Sequence, residues 1–171
     1  MDGWPGGAYA ITVDDSRHDA AVEVLMDAAF GPGRFAKTAE RVREQSAPWR
    51  EGSRLAFIEG VLVGACRLWP VAAGGRALFL GPIAVAGAHR SAGLGRRLVA
   101  ACEAAAAEAG WPAVILIGER TFFKPLGYEP VEPGQIELPG PGVGPKLMWK
   151  ALTPRGLDGL RGPLTGLRAA S

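Results

Sequence analysis

Residues 90–97 read Arg-Ser-Ala-Gly-Leu-Gly-Arg-Arg and lie between an apolar stretch ending at Val85 and a long Ala-rich helical pattern. A strand that feeds a Gly-rich loop opening a helix forms an anion site. The first N–H groups of a helix have no internal partners, and the helix dipole favours negative charge there. Glycine lets the backbone approach a phosphate closely, and arginines add charge. A phosphate loop of the nucleotide-hydrolysing type needs a Gly-Lys-Ser/Thr ending, which is missing. A dinucleotide fingerprint needs a third glycine soon after the strand. Here the sequence runs Gly93-Leu94-Gly95-Arg96-Arg97-Leu98, and seven residues separate Val85 from Gly93. What remains is R-x-x-G-x-G closing a strand–loop–helix unit.

Other chemistry-bearing residues are few. Cys66 and Cys102 are the only cysteines and have neither metal-ligand spacing nor a disulfide framework; both read as apolar strand or helix residues. His89, beside the loop, reads as a solvated residue. In the strand over 61–69, Val61, Val63, Ala65, Arg67 and Trp69 share one face and Leu62, Gly64, Cys66 and Leu68 the other. Arg67 and Trp69 are candidates to line a ligand cleft, with ordinary strand packing as the alternative.

The elements that must hold these residues follow from periodicity and punctuation. A strand over 9–13 precedes a helix with Ser16 and Asp19 as a capping box and Ala21, Leu25, Ala28 and Ala29 on its buried face. Gly31-Pro32-Gly33 ends it. A second helix over 38–46 carries Glu40, Arg41, Arg43 and Glu44 on a solvated face, and the helix pair is a candidate cleft wall. Strands over 54–58 and 61–69 form a hairpin turning at Glu59-Gly60. The central strand spans 77–85, and Gly81-Pro82 inside it predicts a bulge with backbone groups left open. The helix over 92–109 has a stripe of Leu94, Leu98, Ala101, Cys102 and Ala105, with Gly110 after its end. The apolar run 113–117 reads as a strand covered on both faces, reached by a right-handed crossover. A short helix over 121–126, a strand starting at Gly127-Tyr128, a Pro/Gly-rich connection over 130–144 with a short strand at 135–138, and a last strand over 146–152 complete the pattern.

The 171 residues suit one domain, and 48% apolar content with a net charge of +2 describes an ordinary globular chain. That charge is too small to argue for nucleic acid or an anionic membrane surface, and neither partner is expected. The start has no signal-peptide pattern and no apolar run is long enough to span a bilayer, so a cytoplasmic location is expected. The division expected is a flexible 1–7, a domain over 8–152 and a Gly-rich tail over 153–171.

The order of elements, together with two motifs, resembles the GNAT superfamily of acyl-CoA-dependent N-acetyltransferases. One motif is the segment from Ile83 to Gly95, with Ile83-Ala84-Val85 at the strand end and Arg90, Gly93 and Gly95 in the loop. The other is Phe122-Phe123-Lys124-Pro125-Leu126-Gly127-Tyr128, similar to the aromatic segment after the fifth strand in that family. Arg67-Leu68-Trp69-Pro70 and Gly118-Glu119 are similar to a small bacterial branch of it.

The resemblance implies an α/β fold of mixed α+β type: a single domain with a mixed sheet of about six to seven strands, about four helices, and splayed parallel fourth and fifth strands. It implies acetyl-CoA as cosubstrate and no metal. The backbone of Ile83, Ala84 and Val85 would hold the pantetheine arm, the loop Arg90, Ser91, Ala92, Gly93, Leu94, Gly95 and Arg96 the pyrophosphate, and Phe123 would stand beside the cofactor. Arg97 is equally a phosphate contact or a solvated residue. The activity implied is direct attack of a primary amine, from a small molecule or a peptide, on the thioester; a homodimer is one oligomeric state open to it. Where many members carry a tyrosine acid this chain has Phe123, and the central strand holds no carboxylate. Tyr128 reads as packing. Glu119, at the end of the fifth strand, is the best-placed candidate base. A non-catalytic CoA-binding or sensing module is the alternative, and a dinucleotide-dependent oxidoreductase a weaker third.

Overall fold

A computed structural model describes residues 8–31, 33–34 and 37–167; the N-terminal stretch 1–7, read from sequence as flexible, and Pro32 lie outside the described residues. Among the described residues ten strands and four α-helices follow one another: β1 (Ala10–Val13), α1 (Asp19–Phe30), α2 (Thr38–Arg43), β2 (Arg54–Ile58), β3 (Val61–Ala72), β4 (Arg76–Val85), α3 (Leu94–Glu108), β5 (Ala113–Ile117), α4 (Arg120–Phe123), β6 (Glu129–Pro130), β7 (Ile136–Glu137), β8 (Leu147–Ala151), β9 (Gly162–Pro163) and β10 (Thr165–Gly166). The main sheet runs β1-β2-β3-β4-β5-β8-β6, with β10 added on β3, so it has eight strands where six to seven were expected. Only β4 and β5 run parallel within it.

The alternation of β4 and β5 divides the core. Leu78, Leu80, Val114 and Leu116 pack toward α3 with Leu94, Leu98, Val99, Cys102 and Ala106. Ala77, Phe79, Ala113 and Ile115 pack on the opposite face with Val42 of α2. A third cluster joins Val22, Leu25 and Met26 of α1 to Ala65 and Ala84. The both-sided apolar run 113–117 is thus a strand covered on two faces, as its composition requires.

Several local expectations are corrected. The buried face of α1 is Val22, Leu25 and Met26, while Ala21 and Ala28 are exposed. Alanines all round that helix give little contrast, so its orientation is set by the larger side chains. Its entry is a 3-10 turn, Ser16–His18, in which Asp15 accepts from the Arg17 N–H; the expected Ser16–Asp19 capping box does not form. On α3, Val99 and Ala106 join the stripe where Ala101 and Ala105 are only half-buried. In β3 the register slips: Gly64 faces Ala56 and Leu62 faces Phe57, leaving Val63 as the extra residue. The expected face alternation therefore breaks there. Leu62 packs on the α1 side and Val63 toward α3.

The stretch from Thr153, expected as a tail, is built into the fold through residue 167. Gly162–Pro163 pairs with β7 and Thr165–Gly166 with β3. Leu160 and Leu164 are 2% exposed. Each fully buried leucine is worth about 1.5–3 kcal/mol, enough to hold a short segment in place. The sequence hides this because the two leucines stand among glycines and prolines with no period. No helix among the described residues is long and apolar enough to cross a membrane.

Candidate active site

The sheet opens where β4 leaves β5. Their parallel pairing covers Leu78–Leu80 against Val114–Leu116 and stops. Directly beyond it, Gly81 and Pro82 are joined by a cis peptide bond and together oppose the single residue Arg67 of β3, the bulge expected from their types. Past the bulge β4 stays paired to β3 alone, with Ile83 opposite Cys66 and Val85 opposite Gly64. The Ala86 N–H donates to Val63 O of β3 at 2.8 Å. Alternation along a strand then turns the N–H and C=O of Ile83 and Val85 toward the gap. Consistent with this, the Val85 carbonyl accepts from Arg90 Nε at 3.1 Å. The Gly81 carbonyl is held from beneath by the Trp69 indole N–H.

At one end of the gap lies a cavity of about 480 Å3 lined by Val85, His89, Arg90, Ser91, Gly93, Leu94, Gly95, Arg96 and Phe122. Gly93 caps α3 with φ of 78°, and Ser91 has φ of 73°. Left-handed residues in a turn make successive N–H groups converge, as in anion-binding nests. The first turn of the 15-residue α3 carries no acidic residue, so its dipole and arginines face the cavity uncompensated. A side chain on Gly93 would meet no atom within 4 Å, so its glycine is required by conformation and not by space. His89, expected to be solvated, is buried: the 3-10 turn Gly87–His89 brings its ring inward, where Nδ1 and the Tyr9 hydroxyl share a 2.9 Å hydrogen bond.

At the other end is a cleft of about 570 Å3, formed by α1, α2, the β4 bulge, the end of β5 and the connection before β8. Its floor is Phe79 to Ile83, and its walls include Thr38, Arg43, Gly118, Glu119, Phe123, Val143 and Lys146. A side chain on Gly118 would displace the Phe123 ring, because a Cβ would stand 2.3 Å from it. Phe123 is buried edge-on between Phe122 at 4.7 Å and Tyr128 at 5.5 Å. Glu119 caps α4 at the cleft's lip, 69% exposed, 3.0 Å from Lys146 Nζ. Thr38 Oγ1 donates to the Pro141 carbonyl at 2.7 Å, tying the two sides of the cleft together.

The expected site residues thus divide. Arg90, Ser91, Gly93, Leu94, Gly95 and Arg96 meet around the first cavity with Val85; Ile83, Glu119 and Phe123 belong to the cleft. Ala84 and Ala92 reach neither. Ala84 packs against α1, and its backbone faces β3 by the same alternation; Ala92 leans on the core beside α3. Arg67 and Trp69 do not line the cleft. Arg67 is buried in ion pairs with Asp14 (3.0 Å) and Asp19 (2.6 Å), and Trp69 supports Gly81 from below. Arg97 stacks over the Tyr9 ring instead of facing the cavity. Arg43, expected on a solvated face, is buried in the cleft wall because α2 ends there and turns that edge inward. Of the residues missed, Phe122 could have been found from its place beside Phe123; Arg43, Lys146 and the 141–143 segment carry no sequence signal.

Tyr128 and Cys66, read from the sequence as packing residues, both lie in the core. The Tyr128 hydroxyl donates to Glu103 at 2.6 Å inside the core, and burial, with Glu103 beside it, pushes its pKa far up. Cys66 is buried beside Cys102, and that neighbouring thiol together with burial raises its own thiol well above the ordinary range.

A family model for the GNAT acetyltransferases matches residues 19–128. The chain belongs to the GNAT acetyltransferase family. Solved GNAT structures share the fold. The GNAT N-acetyltransferase YhbS of Escherichia coli, in complex with CoA, superimposes with a TM-score of 0.76 at 22% identity, covering 93% of this chain and 89% of that one. A GNAT acetyltransferase of Brucella melitensis in complex with acetyl-CoA gives 0.69 at 18% identity, covering 93% and 96%. Arabidopsis thaliana Naa50, in complex with a bisubstrate analogue, gives 0.58 at 17%, covering 83% and 97%. No curated protein matches the sequence. The GNAT assignment fits the architecture: the matched segment runs from the start of α1 to Tyr128 and contains both cavities' main walls.

Proposed function

We propose that this protein is an acetyl-CoA-dependent N-acetyltransferase that acylates a primary amine by direct attack. The observation that carries the reading is the opening of the sheet after Leu80 and Leu116, which leaves the inner backbone edge of Ile83 and Val85 running between an anion-type cavity and an acceptor-sized cleft. The residues fit the cosubstrate. Ser91, Gly93, Leu94 and Gly95 would hold the pyrophosphate on main-chain N–H groups, with Arg90 and Arg96 adding charge. Ile83 and Val85 would bond the pantetheine amides; the Val85 carbonyl already has Arg90, so its N–H is the group left to offer. Acetyl-CoA, when bound, supplies the thioester that the amine attacks.

The chain's own part is positioning, water exclusion and one proton transfer. Phe123 and Ile83 give the cleft an apolar inner wall, and Glu119 at the lip takes the proton from the amine directly or through one water. A thiolate is a good leaving group, so the absence of a hydroxyl at Phe123 does not block turnover. The related structure of Naa50 holds an analogue with a peptide moiety, CoA-Ac-MVNAL. In this chain the Thr38–Pro141 bridge favours a smaller acceptor.

The second reading, a CoA-binding or sensing module without catalysis, is favoured by that same Phe123. Release of free CoA thiol from acetyl-CoA across an amine panel separates the two; binding of acetyl-CoA with no release for any amine would establish the module. In the active enzyme, Glu119→Gln lowers kcat about a hundredfold with acetyl-CoA affinity unchanged, the size expected for a general base. An unchanged kcat removes Glu119 from the chemistry.

A further inference from the structure

The cleft lining holds four basic side chains, Arg34, Lys37, Arg43 and Lys146, and one carboxylate, Glu119. Three of the four are engaged by acids: Arg34 with Glu23 (2.6 Å) and Asp27 (3.1 Å), Lys146 with Glu119 (3.0 Å), and Arg43 with Glu40 alone. Arg43 is different. Its side chain is 9% exposed, and its ion pair with Glu40 uses Nη2 at 2.9 Å. Nη1 lies on the other side, toward the floor, 3.8 Å from where a Cβ on Gly81 would stand. A guanidinium has five N–H donors in a planar fork, and one monodentate carboxylate leaves most of them unused. Burial is the largest influence on this group and pulls its pKa below the usual guanidinium value, with Glu40 opposing. The remaining donors open onto the cleft, where they offer a planar fork to a second oxyanion.

Size narrows the class further. The cleft is bounded by Thr38 bonded to Pro141, with Gly140 so close beneath Thr38 that an added Cβ would approach its hydroxyl to 3.1 Å. A volume of about 570 Å3 is that of a small-molecule site. Glu119 at the lip and Arg43 in the wall set an acidic and a basic group on one cleft.

We infer that the acceptor is a small amine that also carries an oxyanion, held by Arg43, with Lys37 at the rim, while its amine faces Glu119. The inference rests on the acetyltransferase reading for the amine's fate, but the anion site is read by binding alone. The test titrates protein saturated with CoA with glycine, β-alanine, 4-aminobutyrate and phosphoethanolamine, against propylamine, ethanolamine and putrescine as neutral-tail and cationic-tail controls. At least a tenfold preference for an anionic-tail amine is expected, and the carboxylate and phosphate arms identify the oxyanion. Equal binding of anionic and neutral amines by the wild type, or binding of none, overturns the inference without any variant. Arg43→Lys should reduce the preference severalfold, and Arg43→Met with Glu40→Gln, which leaves no unpaired buried charge, should abolish it with acetyl-CoA affinity unchanged. A preference that survives the double substitution overturns the assignment to Arg43. Thiol release is followed in parallel: anionic amines that bind but are never acetylated would keep the anion site and remove the transferase reading.

Discussion

The cavity at the head of α3 takes its walls from one run of chain, 85–96, plus Phe122; the cleft under α2 takes its walls from four runs that lie up to a hundred residues apart, joined by contacts such as Thr38 to Pro141. They also present different groups. The first offers main-chain N–H groups shaped by Ser91 and Gly93 in left-handed conformation. The second offers side chains: Arg43, Glu119, Phe123 and Lys146. A site made of backbone constrains residue types within a short window, because only certain residues permit those dihedrals and that closeness. A site made of side chains on separate elements constrains their positions in space and leaves each local sequence nearly free. The proposed acyl donor end and the proposed acceptor end are therefore expected to be separable by mutation.

The largest effect expected is from Gly93→Val. A β-branched residue at φ of 78° is strongly disfavoured, costing about 1–2 kcal/mol, and relief of that strain opens the first turn of α3. Acetyl-CoA affinity falls by more than about a hundredfold in calorimetric titration, while anionic amines retain their preference in the cleft. Loss of both together would mean the two ends are coupled and would break the comparison. Next comes Gly118→Ala, which places a methyl group against the Phe123 ring and moves that ring. Overpacking of this kind costs about 1–3 kcal/mol of stability. Here kcat/KM for the amine falls about tenfold and the affinity for acetyl-CoA by less than about threefold; the opposite ranking would assign Phe123 to the donor end.

The same division explains what could be read before the fold was seen. The hairpin at Glu59-Gly60, the bulge at Gly81-Pro82, strand β5 and the loop 90–96 all announce themselves within a few residues, by positive-φ positions, a missing N–H or an unbroken apolar run. The GNAT resemblance follows from these local features. Arg43 did not announce itself, because a charged residue on a short helix reads as solvated until the strand it leans on is known. His89 was hidden for the same reason, its partner Tyr9 lying 80 residues earlier. Residues 153–167 lacked a period altogether, and what fixes them is long-range: the Gly166 N–H donates to the Gln45 side-chain oxygen at 2.9 Å, and Leu167 N donates to Pro70 O.

A smaller effect is expected from Arg90→Ala. Arg90 is an exposed side chain, and much of its reach is spent on the Val85 carbonyl. Its removal lowers acetyl-CoA affinity by about three- to tenfold, the order of one partly screened charge-assisted hydrogen bond. A loss as large as that from Gly93→Val would mean that side-chain charge, and not backbone shape, dominates the donor end, and the contrast drawn above would have to be given up.

The smallest effect concerns how the acceptor wall is fastened. Asp19 opens α1 and bonds Arg50 (2.9 Å) and Arg67 (2.6 Å), which also holds the buried Asp14; this network ties α1 to β3. The Arg50 hydrogen bond is the largest influence and lowers the Asp19 carboxyl below its ordinary value; burial, next in size, opposes it, and Arg67 adds to the lowering. Because the folded-state pKa is depressed, the stabilisation is fully present above the unfolded value of about 4 and is lost as pH falls through the folded one. Asp19 is 44% exposed, so solvent screening keeps the contribution small. Wild type should therefore be modestly more stable than Asp19→Asn at neutral pH, and the difference should vanish only well below pH 4. Hydrogen exchange should locate the loss in α1 and leave the first turn of α3 protected. A difference that is independent of pH would show that Asp19 acts through packing and not charge, and exchange spreading equally to α3 would show that the two ends share one fastening.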